Sequence, residues 1–208
     1  MSIQCILFDA DGVVIHPWRF RRYLERRHRI TPSMTQGFFT GVFNQCLVGR
    51  ADLADVLPPH LRQWGWPGSV EDFIETWLEV ENDPDERLLS AISELRERGY
   101  FCGLATSQEA NRARFITVEM AFDEIFDAHF FSCYIGWQKP QSQFYRSIQS
   151  KLGLDGERIL FWDDSERNVA AARDVGWNAE VYRGFDDFRS RLSVLLASSP
   201  AARNNSQP

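Results

Sequence analysis

The sequence predicts an α/β protein: a Rossmann-like parallel sheet flanked by helices, with an all-helical segment inserted after the first strand. Three observations carry this. Short apolar runs alternate with amphipathic helical stretches from residue 85 onward. Four of the apolar runs stop abruptly at, or just before, polar residues. Residues 16–82 show helical spacing but no convincing strand. Strands alternating with helices imply a parallel sheet covered on both faces.

Taken in order, Ile3–Phe8 is a short apolar run that reads as a buried strand. In the following segment Phe20 and Leu24 lie four apart, Phe38, Phe39, Val42 and Phe43 share a face, and Phe73, Trp77 and Leu78 make another. Asp83-Pro84-Asp85-Glu86 predicts a helix start, with Asp83 at the N-cap, Pro84 in the first turn and Glu86 three residues on. Leu88, Leu89, Ile92 and Leu95 line that helix, and Gly99 closes it. A strand over Tyr100–Ala105 stops at Thr106-Ser107, a helix spans Gln108–Met120, and Phe130–Cys133 reads as the third strand. Pro140 breaks the chain before a helix from Gln141 to Leu152. The strand Arg158–Trp162 stops at Asp163-Asp164; an alanine-rich helix over Asn168–Val175 ends at Gly176. A last strand, Ala179–Tyr182, precedes a final helix, Phe185–Leu196. The expected organisation is a core of residues 1–15 and 85–197, a helical cap of residues 16–84, and a disordered tail at 198–208, which lacks anchoring apolar residues.

Composition narrows the function classes. The 208 residues are 44% hydrophobic and 25% charged, ordinary for a globular protein. A net charge of −6 argues against general nucleic-acid affinity, so an anionic substrate must be drawn by a local field or a bound cation. Cys5, Cys46, Cys102 and Cys133 form no C-x-x-C pair and read as buried thiols rather than a disulfide framework or zinc site. The opening MSIQCILFDADG is no signal peptide, and no stretch approaches the roughly 20 apolar residues of a membrane span. A cytoplasmic protein without nucleic-acid or membrane partners is expected, monomeric by default.

In an open parallel α/β sheet, ligands bind outside the carboxyl ends of the strands. The first strand leads to Asp9 and Asp11, the second to Thr106 and Ser107, the fourth to Asp163 and Asp164, and Lys139 follows the third after a connector. Residues i and i+2 of an extended segment project to one side, so Asp9 and Asp11 can face one substrate, while Gly12 permits a sharp turn. Several carboxylates held close favour a hard divalent cation with oxygen ligands, and Mg2+ commonly bridges carboxylates to a substrate phosphate. Lys139 adds a compact positive charge, and the hydroxyls of Thr106 and Ser107 can donate to phosphate oxygens. The set suits attack by Asp9 on a small phosphate ester, with Asp11 protonating the leaving oxygen and then deprotonating water.

FDADGVV at Phe8–Val14, LATSQ at Leu104–Gln108, QKP-x-x-x-F at Gln138–Phe144 and FWDDSERNVAAARDVGW at Phe161–Trp177 resemble, in order and spacing, the haloacid dehalogenase superfamily, specifically its phosphatase branch with a small helical cap. The resemblance implies Asp9 as nucleophile, Asp11 as acid/base, and Thr106 and Lys139 as phosphate ligands. It also implies Mg2+ held by the Asp9 carboxylate, the Asp11 backbone carbonyl and Asp164, with Asp163 acting through water or orienting the site. Ser107 stands where relatives often carry Asn, which keeps a donor but shortens its reach. Asp11 separates the chain from dehalogenases, which resemble this fold but lack an acid there. Phosphonate-cleaving relatives use a cap lysine, and residues 16–85 contain none.

The expected activity is hydrolysis of a small phosphorylated metabolite, sugar phosphates favoured. A mutase similar to β-phosphoglucomutase and a non-catalytic binding protein on the same fold are the alternatives. The arginine-rich run 19–29 reads as a solvated helix face or as a cap surface attracting anions. Asn168 reads as structural, and His16 reads as structural with a substrate role at the cleft as the alternative. Trp18, Trp64, Trp66 and Trp77 read mostly as core, with stacking on a substrate as the alternative.

Overall fold

The computed structural model describes residues 2–17 and 19–197. Strands β1 (Cys5–Phe8), β2 (Phe101–Thr106), β3 (Ala128–Phe131), β4 (Ile159–Asp163) and β5 (Asn178–Val181) form one sheet with the spatial order 3-2-1-4-5. Every adjacent pair is parallel, with Phe8 level with Leu104 on one side and with Trp162 on the other. The segment after β1 carries six short helices: α1 (Arg19–Tyr23), which runs into a π-type turn at Leu24–His28, then α2 (Pro32–Thr40), α3 (Phe43–Leu47), α4 (Leu53–Val56), α5 (Pro58–Trp64) and α6 (Val70–Val80). Connecting the strands are α7 (Glu86–Glu97), α8 (Ala110–Val118), α9 (Phe122–Ile125), α10 (Ser132–Ile135), α11 (Ser142–Leu152) and α12 (Glu166–Asp174), and α13 (Phe185–Ala197) follows β5.

The strands are continuously apolar because both sheet faces are covered. Ile6, Phe8, Leu104, Leu160 and Trp162 pack on one face against Leu88 and Ile92 of α7 and Phe188 of α13. Cys5, Leu7, Ala105, Ile159 and Phe161 pack on the other against Phe144 and Ile148 of α11 and Val169 and Ala172 of α12. Alternation along each strand therefore feeds two cores from one run of side chains.

The helical insert has a separate core containing Phe20, Leu24, Ile30, Phe38 and Phe73. Two of its helices, α4 and α6, begin on polar caps: Asp52 accepts from Ala54 N–H at 2.8 Å, and Ser69 and Asp72 form a reciprocal capping box. Two linkers join insert to sheet and pair with each other. Asp85 N–H donates to Val14 O and His16 N–H to Asp83 O, both at 2.9 Å.

This pairing moves the predicted start of α7. Asp83 is not its N-cap: its carbonyl is taken by His16 and its side chain pairs with Arg19. Asp85 caps instead, accepting from Arg87 and Leu88 N–H at 3.1 Å each. The third strand also lies earlier than expected, at Ala128–Phe131, and Cys133 belongs to α10. All four cysteines are buried free thiols, whose pKa values burial raises. Arg21, Arg22, Arg26, Arg27 and Arg29 are exposed around inward-facing Phe20, Leu24 and Ile30. Trp18 and the tail at 198–208 lie outside the described residues. Among the described residues, no helix is long and apolar enough to cross a membrane.

Candidate active site

From β1 the chain moves to β2 and β3 on one side and then returns to place β4 on the other. Neighbouring connections diverge at such a reversal and open a crevice at the carboxyl ends of the two strands. Asp9 directly follows β1, its N–H donating to Trp162 O at 2.9 Å, and Asp163 closes β4. Lys139 reaches in from the loop before α11. Its Nζ lies 2.6 Å from Asp9 Oδ1 and 2.6 Å from Asp163 Oδ2, and all three groups are almost wholly buried.

Two carboxylates share one ammonium, and a third carboxylate stands beside them. Asp9, Asp163 and Asp164 each offer an oxygen, all within 4.8 Å of one another. Burial pushes the Asp9 pKa up to about 7; Lys139 opposes that rise and Asp163 adds to it. Asp164, at the exposed mouth, is also pushed up, by partial desolvation and then by Asp163. Burial alone would lower the Lys139 pKa, but the two carboxylates outweigh it and hold the amine protonated. One lysine thus leaves the cluster short of positive charge. An all-oxygen donor set with surplus negative charge fits a hard divalent cation.

The acidic loop depends on close approach. Gly12 has φ +85°, and a Cβ there would collide with the Asp164 carboxylate. Asp163 is held from several directions. Its Oδ1 accepts from Ser165 N–H at 2.8 Å and from the Asn168 amide at 3.0 Å, and that amide also donates to Oδ2 at 3.1 Å.

The sequence profile of the haloacid dehalogenase-like hydrolases matches residues 3–176. The chain belongs to this family. A sesquiterpene phosphatase of Aspergillus oryzae is 31% identical over 117 residues, which cover 55% of this hydrolase and 58% of that protein. The enolase-phosphatase E1 of Erwinia tasmaniensis is 37% identical over 71 residues, 34% of this chain and 28% of that one. Both alignments span less than two thirds of the relative's length. A haloacid dehalogenase family enzyme of Bacteroides thetaiotaomicron, solved as its magnesium complex, superposes with a TM-score of 0.79 at 22% identity, covering 92% of this chain and 99% of that one. At that identity the likeness establishes the shared fold.

Of the residues singled out in the sequence of this hydrolase, Asp9, Thr106, Lys139, Asp163 and Asp164 converge on the crevice. Thr106 stands beside the Asp9 carboxylate and favours its charged form. The Ser107 hydroxyl accepts from Lys139 N–H at 3.1 Å, so it ties the lysine loop to the end of β2 while its own proton stays free to donate. The Asp11 side chain stands outside the carboxylate cluster and turns to partners that sequence reasoning missed. Its Oδ2 accepts from Gln108 Nε2 at 2.8 Å, and its Oδ1 pairs with Arg112 at 3.3 Å.

Gln108 also donates to Thr106 Oγ1 at 3.2 Å, completing a polar chain from Asp9 through Thr106 and Gln108 to Asp11. Ser132 at the end of β3 fixes the Gln108 backbone, accepting from its N–H at 3.0 Å and donating to its carbonyl at 3.2 Å. Arg112, only 3% exposed, donates in addition to Glu81 O at 3.1 Å and Leu78 O at 3.5 Å. It therefore joins the Asp11 carboxylate to the C-terminal end of α6 in the insert. Gln108 carried a signal, as the last residue of LATSQ. Arg112 carried none, since an arginine one turn into a helix ordinarily reads as solvated.

Proposed function

We propose that this hydrolase is a Mg2+-dependent phosphatase acting on a small phosphorylated metabolite, with Asp9 as nucleophile and Asp11 as acid/base. The observation that carries the reading is the single buried ammonium of Lys139, 2.6 Å from both Asp9 and Asp163, beside the third carboxylate of Asp164. Such a site is built to receive an anion together with a cation. Relatives named as phosphatases add support.

An Asp9 oxygen attacks phosphorus, the bond from phosphorus to the alcohol oxygen breaks, and Asp11 gives that oxygen its proton. Water then attacks the aspartyl-phosphate, Asp11 takes the water's proton, and inorganic phosphate departs as the Asp9 carboxylate is regenerated. Lys139, Thr106 and Ser107 hold the phosphoryl oxygens and stabilise charge that grows on them. Asp9, the Asp11 backbone carbonyl and Asp164 would hold Mg2+, which screens the repulsion between nucleophile and phosphate. Asp163 is the orienting group, because both of its oxygens are engaged by Lys139, Asn168 and Ser165.

Residues 16–84 act as a cap that closes over the crevice, excludes bulk water during the first step and selects the leaving group. Contacts between the insert and the crevice loops support this role: Gln138 donates to Asn44 Oδ1 at 3.0 Å, and Arg112 grips the end of α6. The paired linkers at 14–16 and 83–85 are the natural pivot.

The test is phosphate release from a panel of phosphate monoesters, sugar phosphates included, in Mg2+ or in chelator, with Asp9→Asn as the blank. Release is expected only from the wild-type protein with metal. Equal release by Asp9→Asn would end the nucleophile assignment.

A further inference from the structure

We infer that the alcohol released by this enzyme is bulky and apolar, so that its substrates are phosphate monoesters of a long alkyl, isoprenoid-like or aromatic alcohol rather than of a sugar. The inference rests on the phosphatase reading above and adds the substrate class.

A cavity of about 620 Å³ lies between the insert and the crevice. That size is within the range of about 300–1,000 Å³ that engulfs a small organic ligand. Its floor is formed by Asp11, Gln108 and Arg112 of the crevice, and its walls include Phe20, Leu24, Ile30, Phe39, Phe43 and Trp77 of the insert. The departing oxygen must sit within hydrogen-bond reach of Asp11, which donates its proton. The carbon skeleton attached to that oxygen then has the cavity as its space.

Several polar groups on the walls are already engaged. The Glu81 carboxylate accepts from the Phe20 and Arg19 N–H groups at 2.9 and 3.4 Å. The Thr40 hydroxyl donates to Gln36 O at 2.8 Å. Arg112 is spent on Asp11 and two backbone carbonyls. A sugar would bring several hydroxyls against walls that offer them few open partners apart from the exposed Arg21 and Gln36, and a buried hydroxyl without a partner is penalised.

The aromatic walls invite the opposite chemistry. Trp77 stacks on Phe20 with ring centroids 5.6 Å apart and meets Phe39 edge-on at 5.7 Å. Phe39, Phe43 and Trp77 remain only half-buried, which leaves ring surface for an apolar guest.

The experiment measures kcat/KM in Mg2+ for methyl, butyl and octyl phosphate beside glucose 6-phosphate. Full burial of each methylene is worth about fourfold, so octyl should exceed butyl by on the order of 10²-fold. Glucose 6-phosphate should fall below octyl phosphate. Thr40→Trp, which fills the cavity from an exposed position at its rim, should lower octyl phosphate turnover at least tenfold more than methyl phosphate turnover. A flat series, or glucose 6-phosphate as the better substrate, would overturn the inference while leaving the phosphatase reading intact.

Absence of release from every ester would instead defeat the phosphatase reading. Calorimetric titration of the wild-type protein with octylphosphonate and methylphosphonate then decides the cavity question separately. Tighter binding of the octyl compound supports an apolar guest, and equal binding overturns it.

Discussion

Replacing Lys139 with methionine keeps an unbranched side chain one atom shorter and removes the one cation between Asp9 and Asp163. At 2.6 Å and an effective dielectric of about 20, each contact is worth roughly 6 kcal/mol before desolvation is counted. Repulsion between the two carboxylates and the burial of all three groups offset much of that. Measured losses on breaking a buried pair from one side run to about 3–5 kcal/mol. For a chain of 208 residues that is a fall in Tm of roughly 6–20 °C.

The loss should depend on pH. Asp9 is raised from 3.8 to about 7, so the folded state keeps a proton that the unfolded state gives up, and ionised Asp9 opposes folding increasingly as pH rises towards 7. Lys139 relieves that opposition in the wild type, and methionine does not. The Tm gap between wild type and Lys139→Met, melted in chelator, should be widest near about pH 8 and narrower near about pH 5, where Asp9 is protonated in both. A gap below about 2 °C near pH 8, or the same gap at both pH values, would refute the reasoning.

Gly12→Ala forces a left-handed backbone onto a residue whose methyl group meets Asp164; a cost of about 1–3 kcal/mol is expected in thermal melts, with phosphate release reduced at least tenfold. Asp11→Asn still accepts from Gln108 but carries no transferable proton, so release from alkyl phosphates should fall about 10²–10⁴-fold, and by less for p-nitrophenyl phosphate, whose leaving group needs no proton. Asn168→Ala removes both amide contacts to buried Asp163, and urea unfolding should register a loss of about 1–3 kcal/mol.

The residues legible in the sequence were those whose position follows from strand ends. Asp9, Thr106 and Asp163 sit at the close of apolar runs, and a parallel sheet gathers such ends on one edge. Residues that act across the fold were harder to see. Gln108 and Arg112 meet Asp11 across 97 and 101 residues of chain; Gln108 stood out only as the end of LATSQ, and nothing local distinguishes Arg112. The run Asp83-Pro84-Asp85-Glu86 points to Asp83 as the cap, whereas Asp85 takes that place in the structure. Only the pairing of the two linkers, which consumes Asp83, decides between them. The aromatic stripes of the insert were legible as helix faces, but the cavity they leave depends on how six short helices pack.

Because β1 lies in the middle of the sheet, its backbone is laced to β2 on one flank and to β4 on the other, through Phe8 and on to the Asp9 amide. No local fraying can free that strand; its amides open only when the whole sheet comes apart. Deuterium should therefore enter Ile6, Leu7 and Phe8 among the last positions in the chain. The Asp9 carboxylate is thus mounted directly on the strand most tightly laced into the sheet, and its position is set by backbone rather than by the packing of the insert.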